Sequence, residues 1–254
     1  MVTTKRYIID IVIGHTGIIP FVFVTFYKKT GHQAAENFYY TTFEEALPHE
    51  IFNETEPARA FTARFESDKL FLHMRPTGPL KSTVSFKCKD TGFYGEFDFI
   101  FEENQESFTS VTALSENQRN FQMNTIYSVE VSGPYKFERD FEDKCRPGRC
   151  SGIVERQIAA YPYFTTWERA FASKHDGKMR LAFWVGSGNW DAGSVAGAPS
   201  VAFMNGKVCK LKGAKFSDNM KDKMRFEDYF EVANPGSKAG EYLLGFRGQY
   251  EKPY

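Results

Sequence analysis

Hydrophobic and polar positions alternate with a period of two along most of the chain, the spacing of a half-buried strand. Phe93, Gly95, Phe97, Phe99 and Phe101 fall on one face, and Tyr94, Glu96, Asp98 and Ile100 on the other. Tyr7, Ile9, Ile11 and Ile13 share a face over 6–13, and 18–27 is apolar on both faces, as a doubly covered strand is. Further strands are expected over 60–65, 69–74, 82–87, 108–113, 123–131, 135–138, 153–159, 199–204, 207–216, 226–232 and 242–248. Turn signals separate them: Glu66-Ser67-Asp68, Gly133-Pro134 and Asn205-Gly206. A short helix is expected over 42–47, with Thr42 as cap and Glu45 three residues on. No long amphipathic helical pattern occurs. Short strands at regular intervals predict an all-β fold with few or no long helices.

The most distinctive stretch runs from Tyr161 to Trp190 and holds all three tryptophans, Trp167, Trp184 and Trp190. It predicts a hairpin, with strands over 165–173 and 178–187 joined by His175-Asp176-Gly177. In the second strand Met179, Leu181, Phe183 and Val185 form an apolar face, and Lys178, Arg180, Ala182 and Trp184 a mixed one. The charged, Pro- and Gly-containing segment 139–152 is the best candidate boundary. It divides the chain into β domains over 1–145 and 146–254.

Size and composition add limits. A chain of 254 residues can bury a core without metal or disulfide help. Its 32 basic and 32 acidic residues balance, which argues against nucleic acid or an anionic membrane as partner. The apolar run 17–27 is too short to span a bilayer, and Lys5, Arg6, Asp10 and His15 interrupt the opening segment, so no membrane span or leader is expected. The compartment stays open, because the Asn53-Glu54-Thr55 acceptor triplet is too common to decide it. Cys88, Cys145, Cys150 and Cys209 match no zinc spacing. Free thiols are the default reading, with a disulfide closing the short Cys145–Cys150 loop as the alternative.

Catalytic and cofactor motifs are lacking. The glycine-rich stretch 186–197 has neither the Gly-Lys-Ser/Thr of a phosphate loop nor the third glycine of a dinucleotide loop. His15, His32, His49, His73 and His175 form no ligand pair, and no Gly-x-Ser-x-Gly elbow is present. No metal or cofactor is therefore expected. Glu155, Arg156, Glu168 and Arg169 cluster around the aromatic hairpin. They read either as solvated outer-face residues on alternating strands or as a polar group set inside an apolar interior.

Four segments, in order, resemble the lipocalin-like domain of unknown function 2804 family, itself distantly similar to the carotenoid 1,2-hydratase group. They are 9–31, ending in a basic-Thr-Gly turn; 121–137, a strand leading to Gly133 and an aromatic; 152–173; and 201–216, a Phe203-x-x-Gly206-Lys207 hairpin with Leu211. The third holds Gly152, Glu155, Pro162, Tyr163, Thr165 and Trp167. The resemblance implies two lipocalin-like antiparallel β-barrel or sandwich halves, the first without the family's opening segment. It implies no activity. Several polar positions of the family pattern differ: its Asp is Glu155, its Arg and Gly are Ile158 and Ala159, its second Trp is Arg169, and its acidic-Asn pair is Pro199-Ser200.

A scaffold that keeps packing positions while polar ones change fits binding or assembly better than catalysis. The expected function is a non-enzymatic protein that holds a small apolar ligand (a lipid, isoprenoid or pigment) or serves as a subunit of a larger assembly. Glu155, Tyr163, Thr165, Trp167, Arg169 and Trp184 are the candidate ligand-binding residues. The alternative is a hydratase acting on an isoprenoid or lipid double bond, with Glu155 as the acid and aromatic faces stabilising a developing cation.

Overall fold

The computed structural model describes residues 1–15, 20–29, 36–41, 62–114, 119–138, 141–161, 167–188, 200–211, 214–218, 225–233 and 243–251. Among them every regular element is a strand, nineteen in all. They are β1 (Val2–Thr3), β2 (Tyr7–His15), β3 (Pro20–Lys28), β4 (Glu36–Thr41), β5 (Ala63–Glu66), β6 (Leu70–Gly78), β7 (Lys81–Cys88), β8 (Tyr94–Ile100), β9 (Phe108–Ala113) and β10 (Phe121–Glu138). Then come β11 (Phe141–Cys145), β12 (Ser151–Ala160), β13 (Trp167–His175), β14 (Arg180–Gly188), β15 (Val201–Met204), β16 (Lys207–Lys210), β17 (Ala214–Asp218), β18 (Arg225–Ala233) and β19 (Leu243–Glu251). The chain is all-β, and the described strands pair antiparallel. The short helix expected over 42–47 lies outside the described residues.

The fold groups into two compact units. The first comprises Met1–Gln105, Val129–Ile153 and Lys174–Arg180, and the second Glu106–Ser128, Val154–Ser173 and Leu181–Tyr254. The cut expected after residue 145 falls within the first unit. One long sheet runs β4-β3-β2-β1-β12-β10-β8-β7-β6-β5, with β9 and β11 also paired to β10. β13-β14-β15-β16 and β17-β18-β19 form separate sheets.

The first unit is a barrel-like sheet filled by rings. Phe137 stacks on Phe26 at 4.5 Å and on Phe86 at 5.9 Å, and lies 5.2 Å from Tyr7 and 5.6 Å from Tyr135. Each of these side chains is buried. Offset and edge-on contacts of this kind add to the burial of large apolar surfaces. The face carrying Gly95, Phe97, Phe99 and Phe101 is the inner one, as alternation predicts.

Two boundaries differ from the sequence reading. Gly133-Pro134 does not turn the chain; β10 runs through it as one strand of eighteen residues. Gly133 pairs with Cys145 and has φ +132°, and a Cβ there would sit 1.9 Å from the Glu96 carbonyl oxygen. Glycine is needed for this close strand approach, not for reversal. The run 207–216 is likewise not one strand: β16 stops at Lys210, where Leu211 buries itself and its N–H donates to Ser200 O at 2.9 Å. β17 then belongs to another sheet. Asn205-Gly206 does turn the chain as predicted, both at positive φ.

Candidate binding site

The second unit places polar side chains where the first places rings. On β12 the alternation puts Glu155, Gln157 and, just past the strand end, Tyr161 on one face, while Ile158 on the other is partly exposed. On β14, Phe183 and Val185 pack with Leu211, Ala170, Ala172 and Ala202 into an apolar cluster. The opposite face of β14 carries Ala182 and Trp184, also buried, with Trp184 fully so. Covering both faces of this strand removes its indole from water, so its N–H needs an internal acceptor.

That acceptor is Glu155. The Trp184 Nε1–H donates to Glu155 Oε2 at 3.3 Å, and the Arg169 guanidinium lies 3.5 Å from the same oxygen. The Glu155 and Arg169 side chains are 19% and 32% exposed, so this pair is sheltered and less screened than a surface pair. Arg169 also lies over the Phe171 ring, 5.5 Å from its centroid. The Tyr161 hydroxyl accepts from Gln157 Nε2 and donates to Gln122 Oε1 at 3.4 Å. Loss of solvent around this phenol raises its pKa; the charge of Glu155 adds to the rise and that of Arg169 opposes it.

Glu155, Arg169 and Trp184 are thus brought together as one group, joined by a hydrogen bond and an ion pair on the same oxygen. Trp167 lies on β13, described in backbone alone, and Tyr163 and Thr165 lie outside the described residues.

Sequence reasoning missed Tyr161, Gln157, Gln122 and Asn124. Gln122 and Asn124 are buried on β10, opposite Thr112 and Ser110 of β9. Their two-residue spacing is the available signal, but a polar stripe on a strand is ordinarily its solvent face.

The predicted hairpin forms with its turn displaced. His175 belongs to β13, and the reversal spans Asp176 to Met179, where Asp176 Oδ1 accepts from the N–H groups of Lys178 and Met179. Gly177 there has φ +92°. The apolar face expected for β14 is buried only at Phe183 and Val185; Met179 and Leu181 are partly exposed. Among the described residues no group of three or more His, Cys, Asp or Glu is placed to hold a metal ion, and no helix is long and apolar enough to cross a membrane.

Fold and site together define an all-β protein with a ring-filled unit and a unit that buries polar side chains among apolar ones. The chain belongs to the family described as Domain of unknown function (DUF2804), whose model matches residues 1–229. No curated protein and no solved structure matches it.

Proposed function

We propose that the protein is a non-enzymatic, lipocalin-like binding protein whose second unit holds a small, mainly apolar ligand by one polar end. The observation that carries this reading is the Glu155, Arg169 and Trp184 group, with Tyr161 beside it. A few placed polar groups among apolar walls is the usual recipe of a small-molecule site. The same geometry favours binding over a hydratase. The carboxylate oxygen of Glu155 is held by two donors, which suits an acceptor better than an acid that must release a proton.

Native mass spectrometry of the protein purified gently from its own cells tests the reading. A discrete added mass of lipid or pigment size, lost in Glu155→Gln, is expected. A bare protein that also binds none of a panel of fatty acids and isoprenoid alcohols would overturn it. If Glu155→Gln instead abolishes water addition to an isoprenoid double bond, the hydratase reading takes its place.

A second reading, a subunit of a larger assembly, is supported by apolar side chains left on the surface of the β14–β15 pair. Leu181 and Met204 face each other across the ladder and are 40% and 56% exposed. Recovery of the bare protein solely within a large particle would favour it.

A further inference from the structure

The first unit holds a second cluster of reactive side chains, unconnected with the binding reading above. β11 stops at Cys145, the chain folds out through Arg146-Pro147-Gly148-Arg149, and it resumes along β10 at Cys150. The excursion is closed by Arg149 N–H donating to Arg146 O at 3.0 Å, with Gly148 at φ +73°. Its tip is tied down as well: Gly148 N–H donates to Glu130 Oε1 at 2.6 Å.

Both ends of this turn are fixed on β10. Cys145 pairs with Gly133, and the Cys150 carbonyl accepts from Val131 N–H at 3.4 Å. Two strand positions span about 7 Å, at the upper end of the Cα separations that a disulfide bridges. The two thiols interact with each other, both residues are buried, and both are free cysteines. Cys88 and Cys209 lie on β7 and β16.

The surroundings distinguish the two sulfurs. The Cys145 thiol and the Arg146 N–H both act on Cys150 to favour its thiolate. These contacts lower the Cys150 pKa, while Cys145, beside Cys150 and buried, is raised. The Lys29 ammonium, whose Nζ donates to Thr4 O at 2.6 Å, favours negative charge on both sulfurs, and Asp143 opposes it. Burial at the base of a turn admits a small oxidant more readily than a bulky disulfide.

We propose that Cys145 and Cys150 are a two-cysteine site that hydrogen peroxide converts to an intramolecular disulfide, with Cys150 attacking and Cys145 resolving. The Cys150 thiolate attacks one peroxide oxygen and the O–O bond breaks. The departing hydroxide takes up the proton that Cys150 has lost and leaves as water. Cys150 is then a sulfenic acid. The Cys145 sulfur attacks the Cys150 sulfur, the S–O bond breaks, and the oxygen leaves as a second water with the Cys145 proton. Two thiols have given two electrons and two protons to one peroxide.

The test uses the full-length folded chain, reduced and then exposed to stoichiometric hydrogen peroxide, alkylated, and digested after acidic residues. The expected product is a segment 144–155 lighter by two hydrogens, reversed by a dithiol reductant. Cys145→Ser should strand Cys150 as a sulfenic acid captured by dimedone. Cys150→Ser should leave Cys145 oxidised at least about tenfold more slowly. If the serine variants do not fold, competition kinetics on the unaltered chain decide. Oxidation of Cys209 while the pair remains alkylatable, or bridging that appears only in denaturant, overturns the proposal.

Discussion

The two units solve the same problem, how to fill the inside of an antiparallel sheet, in opposite ways. In the first, Tyr7, Phe26, Phe86, Phe97, Tyr135 and Phe137 pack ring against ring. The tyrosine hydroxyl of Tyr135 is satisfied at the margin, donating to Asp143 Oδ2 at 2.9 Å. In the second, a strand of similar alternation buries Gln122 and Asn124, and Glu155 shares one oxygen between an indole and a guanidinium. Rings fill space with no demand on their neighbours. Buried polar groups must each find a partner or lose a hydrogen bond they had with water. A unit built on the second plan is less stable for its size unless those groups serve something else. On the function proposed above, stability belongs to the first unit and recognition to the second.

The largest expected effect separates the two plans directly. Phe137 touches rings from three other strands, so Phe137→Ala leaves a cavity that the stiff aromatic neighbours cannot close. It should cost about 3–5 kcal/mol, read as a shift in the denaturant midpoint. Ligand affinity, measured where the variant is still folded, should change little. A loss of binding equal to that of Glu155→Gln would break the division of labour.

Arg169→Ala should be intermediate. It removes the ion pair with Glu155 and the contact with Phe171, leaving the carboxylate with the indole donor. A destabilisation of about 1–2 kcal/mol is expected, together with roughly tenfold weaker binding, since one polar anchor of about 1.4 kcal/mol is a factor of ten. Isothermal calorimetry and a denaturation series on the same preparation report both. Weaker binding with unchanged stability sharpens the comparison, because the pair then exists for the ligand. Loss of stability with unchanged binding assigns it to packing.

What could be read beforehand follows the same division. The ring-filled sheet was legible because Phe at every second position over 93–101 has one sensible disposition, inward. Glu155, Arg169 and Trp184 could be named because they crowd a hairpin with the chain's tryptophans. Gln122 and Asn124 could not, since a period of two says that they share a face but not which face is interior. That is decided by what the other strands bring. Gly133-Pro134 misled for a related reason. The dipeptide usually reverses a chain, but here the demand for glycine comes from the Glu96 carbonyl, an atom on another strand. Tertiary contact, not local preference, set both outcomes.

The smallest expected effect lies on the surface of the second unit. Leu181 and Met204 sit directly opposite each other on the β14–β15 ladder with much of each side chain in water. Replacing both by Thr keeps strand preference while removing apolar area, so stability should stay within about 0.5 kcal/mol. If the protein works as a binding unit by itself, sedimentation velocity and ligand affinity should both be unchanged by the double substitution. If this face is instead covered by a partner, the unaltered protein should co-sediment with that partner in an extract of its own cells, and the double variant should not. Leu181 shares its face of β14 with Phe183 and Val185 but sits at the exposed end of it, and Trp184 lies on the opposite face, so the two substitutions leave the contact between Trp184 and Glu155 in place. A change in sedimentation with no change in ligand affinity would place assembly and binding on different faces of the same sheet, and would make the second unit the site of both.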